Sequence, residues 1–222
     1  MFDVYVVDVC GTLVHEDTTL GLLSHHFASN SNRPLRYLLF RAMVAHYSPL
    51  RMTFAVLEKL TGRHLLKYVA VRLLAGDRVD ALNQSAAEYA RELLAQHRVS
   101  TVWALLNVPL QSGRVVLASA SLEPVVAALA SVLGVRYVAS TLSHQKGILI
   151  GCYSSDVTGC KEQALIEKYG KNVLSGHICV ISDNFSDRTL LEKADQAYVV
   201  LHRESHRQRW HGFEALFLQV NE

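Results

Sequence analysis

Apolar residues along this chain fall into two regimes. Near the start, Val4-Tyr5-Val6-Val7 is an unbroken apolar run closed by Asp8 and followed closely by Gly11. A run so short and so rich in β-branched residues predicts a strand buried on both faces of a parallel sheet. From about Leu20 to Arg98 the apolar positions recur at helical spacing instead. Leu35, Leu38, Leu39 and Met43 follow it, as do Leu57 and Leu60, and later Leu73 and Leu74. Breaks are signalled by Asn30-Ser31-Asn32-Arg33-Pro34, Ser48-Pro49, Thr61-Gly62 and Ala75-Gly76-Asp77.

Beyond this helical block an alternation of strand and helix resumes. Arg114 to Ser119 predicts a buried strand ending in a hydroxyl. Leu122, Val125, Val126, Leu129, Val132 and Leu133 then fall on one helical face, and Gly134 closes the helix. Val135 to Thr141 predicts a strand, and Gly147 to Gly151 a short hairpin arm. Lys161 to Tyr169 predicts a helix ended by Gly170, and His177 to Ser182 a strand that delivers Asp183. Phe185 to Lys193 predicts a helix and Ala197 to Leu201 a final strand. The tail from His202 reads as a closing segment packed by Trp210, Phe213, Leu216 and Phe217. The alternation predicts an α/β fold, a doubly wound parallel sheet with helices on both faces. The helical block, interrupting it after the first strand, predicts an inserted helical domain. The expected division is a core of residues 1–14 and 99–222 and an insert of residues 15–98.

Composition narrows the function classes. Half of the 222 residues are hydrophobic, which excludes a disordered chain and fills a substantial core. A formal charge of +2 excludes a nucleic-acid binder held by bulk charge, so no nucleic-acid partner is expected. No signal peptide is expected, because Met1 leads directly into an apolar run with Asp3 inside it. No transmembrane segment is expected either, since Arg36 and Arg41 interrupt the most apolar stretch. Cys10, Cys152, Cys160 and Cys179 lack paired metal-ligand spacing and read as reduced thiols of a cytoplasmic protein. The charge itself is uneven. Residues 15–98 carry eleven Lys and Arg against seven Asp and Glu, and the remainder eleven against thirteen. From Arg33 to Arg72 there are eight basic residues and one acid, Glu58. That stretch reads as a solvated helix face, with recognition of an anion and peripheral contact with an anionic membrane surface as alternatives.

Three apolar strands thus end in polar side chains, Asp8, Ser119 and Asp183. Ligands of open α/β sheets bind outside the carboxyl ends of the strands, so these three are expected to share one crevice. Two carboxylates there suit an oxygen-seeking divalent cation such as Mg²⁺. A hydroxyl with Lys161 suits a phosphoryl group, and the Gly11-Thr12 loop offers backbone N–H groups to it. Beside such charges an ionised aspartate can attack phosphorus.

At these residues the chain resembles the haloacid dehalogenase-like hydrolases. Asp8-Val9-Cys10-Gly11-Thr12-Leu13 resembles their first motif, Ser119 in VVLASAS the second, Lys161 in GCKEQALIEKYG the third, and Asp183-Asn184-Phe185-Ser186-Asp187 the acidic fourth. Order and spacing agree across all four, most closely with the phosphoserine phosphatase-like branch. The resemblance implies a Rossmann-like core with a helical cap between the first and second motifs. It also implies a Mg²⁺-dependent phosphatase acting on a small phosphorylated metabolite through an aspartyl-phosphate. In it, Asp8 is the nucleophile and a metal ligand. The Cys10 backbone carbonyl and Asp183 are further ligands, and Asp187 supports the metal or its waters. Ser119 and Lys161 hold the phosphoryl group. Thr12 and Ser121 are loop contacts, and Glu16 and Asp17 lie where cap-entry acids of the phosphoserine phosphatases meet substrate.

Cys10 departs from the pattern, because the family's phosphatases place an aspartate there as acid and base. A neutral thiol is a poor base near neutral pH, and losing a general acid/base costs about 10²–10⁴-fold. Three outcomes follow. The enzyme is slow and favours good leaving groups; another group such as His15, Glu16 or Asp17 substitutes; or the site is a phosphate-binding scaffold without turnover. Ion-pumping relatives carry Thr at this position and still form the aspartyl-phosphate, so transfer to an acceptor other than water also stays open.

Overall fold

A computed structural model describes residues 2–29, 34–45, 47–61 and 65–220. The chain builds one seven-stranded sheet around its first strand, β1 (Val4–Val7). On one side of β1 lie β2 (Val115–Leu122), β3 (Arg136–Gln145) and β4 (Ile148–Ser155). On the other lie β5 (Ile178–Ser182), β6 (Gln196–Leu201) and β7 (Leu216–Gln219). All neighbours run parallel except β3 and β4, which form an antiparallel hairpin.

The continuous apolar runs are explained by burial on both sides of this sheet. Val7, Val115, Leu117, Cys179 and Ile181 point into one core, and Val4, Val6, Val116, Ala118, Ile178 and Val180 into a second. The second core is closed by α8 (Lys161–Tyr169) and the short α9 (Arg188–Leu191), through Leu165, Leu190 and Leu191. The first is closed by α7 (Glu123–Leu133) together with the insert. Gly134 ends α7 with φ of 66°, a left-handed turn that a residue with a Cβ rarely adopts.

The insert is helical, as its spacing predicts. It comprises α1 (Thr18–Ser29), α2 (Pro34–Val44), α3 (Pro49–Thr61), α4 (Leu65–Arg72) and α5 (Val79–Gln96). The predicted breaks at Ser48-Pro49 and Ala75-Gly76-Asp77 fall between helices, whereas those at Asn30 to Arg33 and at Gly62 lie outside the described residues. Helix α5 packs on both α1 and α7, so one apolar core runs from the insert into the sheet layer. Helices α2 and α3 are held less firmly. Phe40 and Met43 are buried in α2, but no residue of α3 is. Leu35, Leu38, Leu39, Met52, Val56, Leu57 and Leu60 are exposed, so much of the helical apolar spacing faces outward. Among the described residues no helix is long and apolar enough to cross a membrane.

Several expectations need correction. A twelve-residue helix, α6 (Ser100–Gln111), precedes β2 where none was expected. It carries no charged residue, and Pro109 in its last turn masks the pattern. The hairpin arm read at Gly147 to Gly151 extends through β4 to Ser155. The helix expected over Phe185 to Lys193 is a 3-10 turn, Phe185–Asp187, followed by α9, because Asn184 accepts the Ser186 N–H at 3.0 Å and tightens the entry. Ala197 to Leu201 is not the final strand: β7 adds an edge strand beyond it. In that tail Trp210 is buried and Phe213 and Phe217 pack beside it, but Leu216 is exposed. An edge strand presents alternate residues to solvent, and Leu216 occupies an outward position.

Candidate active site

Register places the reactive side chains. Val7 of β1 is level with Leu117 of β2 and Ile181 of β5, so Asp8 emerges where the neighbouring strands carry Ala118 and Ser182. This is the point at which the strand order diverges on either side of β1. Here Asp8, Cys10, Ser119, Ser121, Lys161 and Asp183 line one cavity of about 330 Å³.

Asp8 and Lys161 form the floor of that cavity. Lys161, first residue of α8, brings Nζ to 2.9 Å from Asp8 Oδ1 and 2.6 Å from Asp187 Oδ2. The Ser182 hydroxyl donates to the same Asp187 oxygen at 2.6 Å, and the Val9 N–H donates to Asp8 Oδ1 at 2.7 Å. Burial disfavours the Lys161 charge, but Asp8 and Asp187 more than offset this and hold the ammonium up at about 12. Asp187 therefore positions the lysine, and its Oδ1 is buried without a hydrogen-bond partner among the described residues.

Asp183 is held by the first loop. Its backbone N–H donates to Thr12 Oγ1 at 2.9 Å, and that hydroxyl donates to Asp183 Oδ1 at 3.1 Å. Thr12 is fully buried by this exchange and acts on Asp183 rather than lining the cavity. Gly11 between them has φ of 71°, and a Cβ there would strike the Asp183 carboxylate. The loop is thus closed by glycine on two grounds, conformation and contact.

Burial pushes Asp8 up to about 7, against the pull of Lys161, and Asp183 up to about 6, against its Thr12 hydrogen bond. Asp8, Asp183 and Asp187 are three carboxylates beside the single ammonium of Lys161, an imbalance that favours a further cation. With the Cys10 carbonyl they offer oxygen donors alone, which fits a hard divalent ion such as Mg²⁺. Among the described residues no three His, Cys, Asp or Glu side chains form a ready cluster, so such a site depends on backbone and water for its remaining ligands.

The other expected residues are placed differently from one another. Ser119 is buried, and its Oγ accepts the Ser121 N–H at 3.2 Å. The Ser121 hydroxyl lies 2.5 Å from Thr18 Oγ1, tying the end of β2 to the start of α1. Asp17 lines the cavity, but its Oδ1 also accepts the N–H groups of Thr19 and Leu20 and so caps α1. Glu16 stays outside the cavity lining and lies 3.4 Å from His97. His15 is likewise not part of the lining, and its Nδ1 is buried without a partner. Burial pushes the Cys10 thiol up, with Asp17 and Asp8 adding to it, so the sulfur stays protonated.

Four contributors escaped the sequence reading. Arg51 and Glu58 of α3 and Lys67 of α4 line the same cavity as Asp8. A signal for Glu58 existed: it is the only acid in its basic stretch. His202, read as part of a purely structural tail, donates Nε2–H to the Gly11 carbonyl at 2.6 Å and lies 3.8 Å from Asp183 Oδ2. The return of the chain from β6 to the first loop brings it there, and no local motif announces that contact.

Comparison with known proteins agrees with this geometry. Residues 6–192 match the family described as haloacid dehalogenase-like hydrolase. No curated protein matches the chain. A crystal structure from Bordetella pertussis Tohama I, of unknown function, is similar at TM-score 0.73 and 15% identity, covering 98% of each chain. A substrate-bound phosphoserine phosphatase is similar at TM-score 0.60 and 13% identity, over 98% of this chain and 93% of that one. Cytosolic 5'-nucleotidase IIIB bound to cytidine is similar at 0.62 and 16%, over 97% and 80%. At these identities the likeness is one of fold.

Proposed function

The chain belongs to the haloacid dehalogenase-like hydrolases, and we propose that it is a Mg²⁺-dependent phosphatase forming an aspartyl-phosphate on Asp8 from a small phosphorylated metabolite. The observation that carries this reading is the convergence of Asp8, Ser119, Lys161 and Asp183 on one cavity at the divergence of the sheet. Asp8 Oδ1 is engaged by Lys161 and Val9, so attack falls to Oδ2. Lys161 and the Ser119 hydroxyl hold the phosphoryl oxygens and neutralise the charge that develops on them. Asp187 and Ser182 keep the lysine in place. Asp8, Asp183 and the Cys10 carbonyl would hold Mg²⁺, which offsets phosphoryl charge and keeps the buried carboxylates ionised.

Residues 15–98 act as a cap in this reading. Arg51, Glu58 and Lys67 reach the cavity from it and are placed to choose the substrate. Closure over the cavity would exclude water during the first transfer. The exposed apolar side of α2 and α3, with Arg41 and Lys59 beside it, supports peripheral contact with an anionic membrane surface, checked by sedimentation with anionic vesicles.

A second reading, a phosphate-binding scaffold of little turnover, is favoured by one observation, the cysteine at position 10 where the family places its acid and base. Mg²⁺-dependent release of phosphate from an aryl phosphate and a metabolite panel separates the two. Wild type and Asp8→Asn behaving alike would sink the phosphatase reading.

A further inference from the structure

The proposed reaction leaves one proton without a carrier. The leaving oxygen must gain it, the attacking water must lose it, and Cys10, a thiol where the family places an aspartate, is unsuited to either task. We propose that Lys67 Nζ carries this proton, acting as the general acid and base that the loop after β1 lacks. The inference rests on the reading of Asp8 as the nucleophile.

Position singles Lys67 out. Its Nζ donates to the Ala120 carbonyl at 2.8 Å, and Ala120 lies between Ser119 and Ser121 in the phosphoryl-binding segment. It lines the same cavity as Asp8 and Cys10 but arrives from α4, in the helical insert rather than the loop after β1. Its side chain is only 17% exposed. Tyr153 of β4 places its ring 5.0 Å below Nζ, and Asp156, in the loop after β4, lies at 3.6 Å. Asp156 is itself fixed by Ser140, Tyr68 and Thr158.

The other titratable groups facing this space are less suited. Arg51 cannot release a proton in this range. Asp17 and Glu58 each use a carboxylate oxygen on backbone N–H groups, of Thr19 and Leu20 and of Leu66 respectively. Lys67 is balanced between two demands. Burial lowers its pKa, whereas Asp156 and Asp17 favour the charged form. The ammonium is therefore present at rest and gives up its proton more readily than a solvated lysine.

The proton account closes. As the Asp8–phosphorus bond forms and the bond from phosphorus to the leaving oxygen breaks, that oxygen takes a proton from Nζ and departs as alcohol. The neutral amine then takes a proton from water as the water oxygen bonds to phosphorus and the Asp8–phosphorus bond breaks. Inorganic phosphate leaves, with Asp8 ionised and Lys67 again an ammonium.

The test uses the full chain with Mg²⁺, an alkyl phosphate and 4-nitrophenyl phosphate, whose leaving group needs no protonation. In Lys67→Met, and equally in Lys67→Arg, turnover of the alkyl ester should fall about 10²–10⁴-fold. Nitrophenol should appear as a burst of one equivalent followed by slow turnover, because transfer to Asp8 survives while hydrolysis stalls. Adding Cys10→Asp to Lys67→Met should restore steady turnover. Lys67→Arg retaining wild-type rates would overturn the proposal, as would equal losses on both esters with neither burst nor rescue. Wild type lacking Asp8-dependent turnover defeats the phosphatase reading and this inference with it. Asp8-dependent turnover that survives Lys67→Met defeats this inference alone.

Discussion

Lys161 Nζ stands 2.9 Å from Asp8 Oδ1, and both side chains are all but closed to solvent. The pair is an ion pair built into the interior, with Asp187 completing it on the far side at 2.6 Å. Such an arrangement costs desolvation, and in the proposed reaction each partner acts on the phosphoryl group.

Removing the lysine leaves two buried carboxylates facing each other. Lys161→Met is expected to lower stability by about 3–5 kcal/mol, the usual cost of breaking a buried pair from one side. Urea denaturation at neutral pH measures it. A loss below about 1 kcal/mol, the range of an exposed pair, would mean that the pair is more hydrated than its burial implies.

The raised carboxylates make the response to Mg²⁺ depend on pH. In the metal-free protein Asp8 and Asp183 titrate near about 7 and about 6, above the ordinary value of about 4 in an unfolded chain. Keeping them protonated contributes stability that is complete below pH about 4 and is lost as the pH rises through about 6 to 7. The metal-free melting temperature should therefore fall between pH 5 and pH 8 through these two groups, and added Mg²⁺ should raise it more at pH 8. Differential scanning fluorimetry with and without Mg²⁺ checks this. A shift as large at pH 5 as at pH 8 would contradict carboxylate ligation.

Gly11 offers an independent check on the loop. Gly11→Ala places a Cβ against the Asp183 carboxylate at a left-handed backbone position. The conformation alone costs about 1–2 kcal/mol. The Mg²⁺-induced rise in melting temperature should shrink together with stability, because Asp183 is displaced. Loss of stability with the Mg²⁺ response intact would separate the loop from the metal site.

The strands at the centre of the sheet, and the side chains they deliver, could be read from the sequence. Apolar runs buried on both faces are continuous, so each of β1, β2 and β5 ends visibly at a polar residue. Elements with weak contrast were lost instead. Helix α6 carries no charged residue to mark its outer face, and β7 is a short edge strand with an exposed Leu216. At the site, the residues inside motifs were legible, whereas Lys67, Arg51, Glu58 and His202 come from segments far along the chain. Their convergence is a property of packing, and only Glu58, the single acid of its basic stretch, carried a local signal.

Cys10→Asp bears on the proton carrier. With Lys67 supplying the proton, the substitution should change alkyl-phosphate turnover by less than about tenfold in the otherwise unaltered chain. A gain of about 10²-fold or more, the scale of a restored general acid, would show that no carrier was present. Steady-state kinetics with Mg²⁺ measures the difference.

The central claim is the covalent role of Asp8. It is tested most directly by mass spectrometry of acid-quenched protein after mixing with Mg²⁺ and an aryl phosphate. The account predicts one phosphoryl group on the peptide containing Asp8 in the wild type, and neither the adduct nor phosphate release in Asp8→Asn. Phosphate release at the wild-type rate from Asp8→Asn, or turnover with the phosphoryl group on another residue, would contradict it.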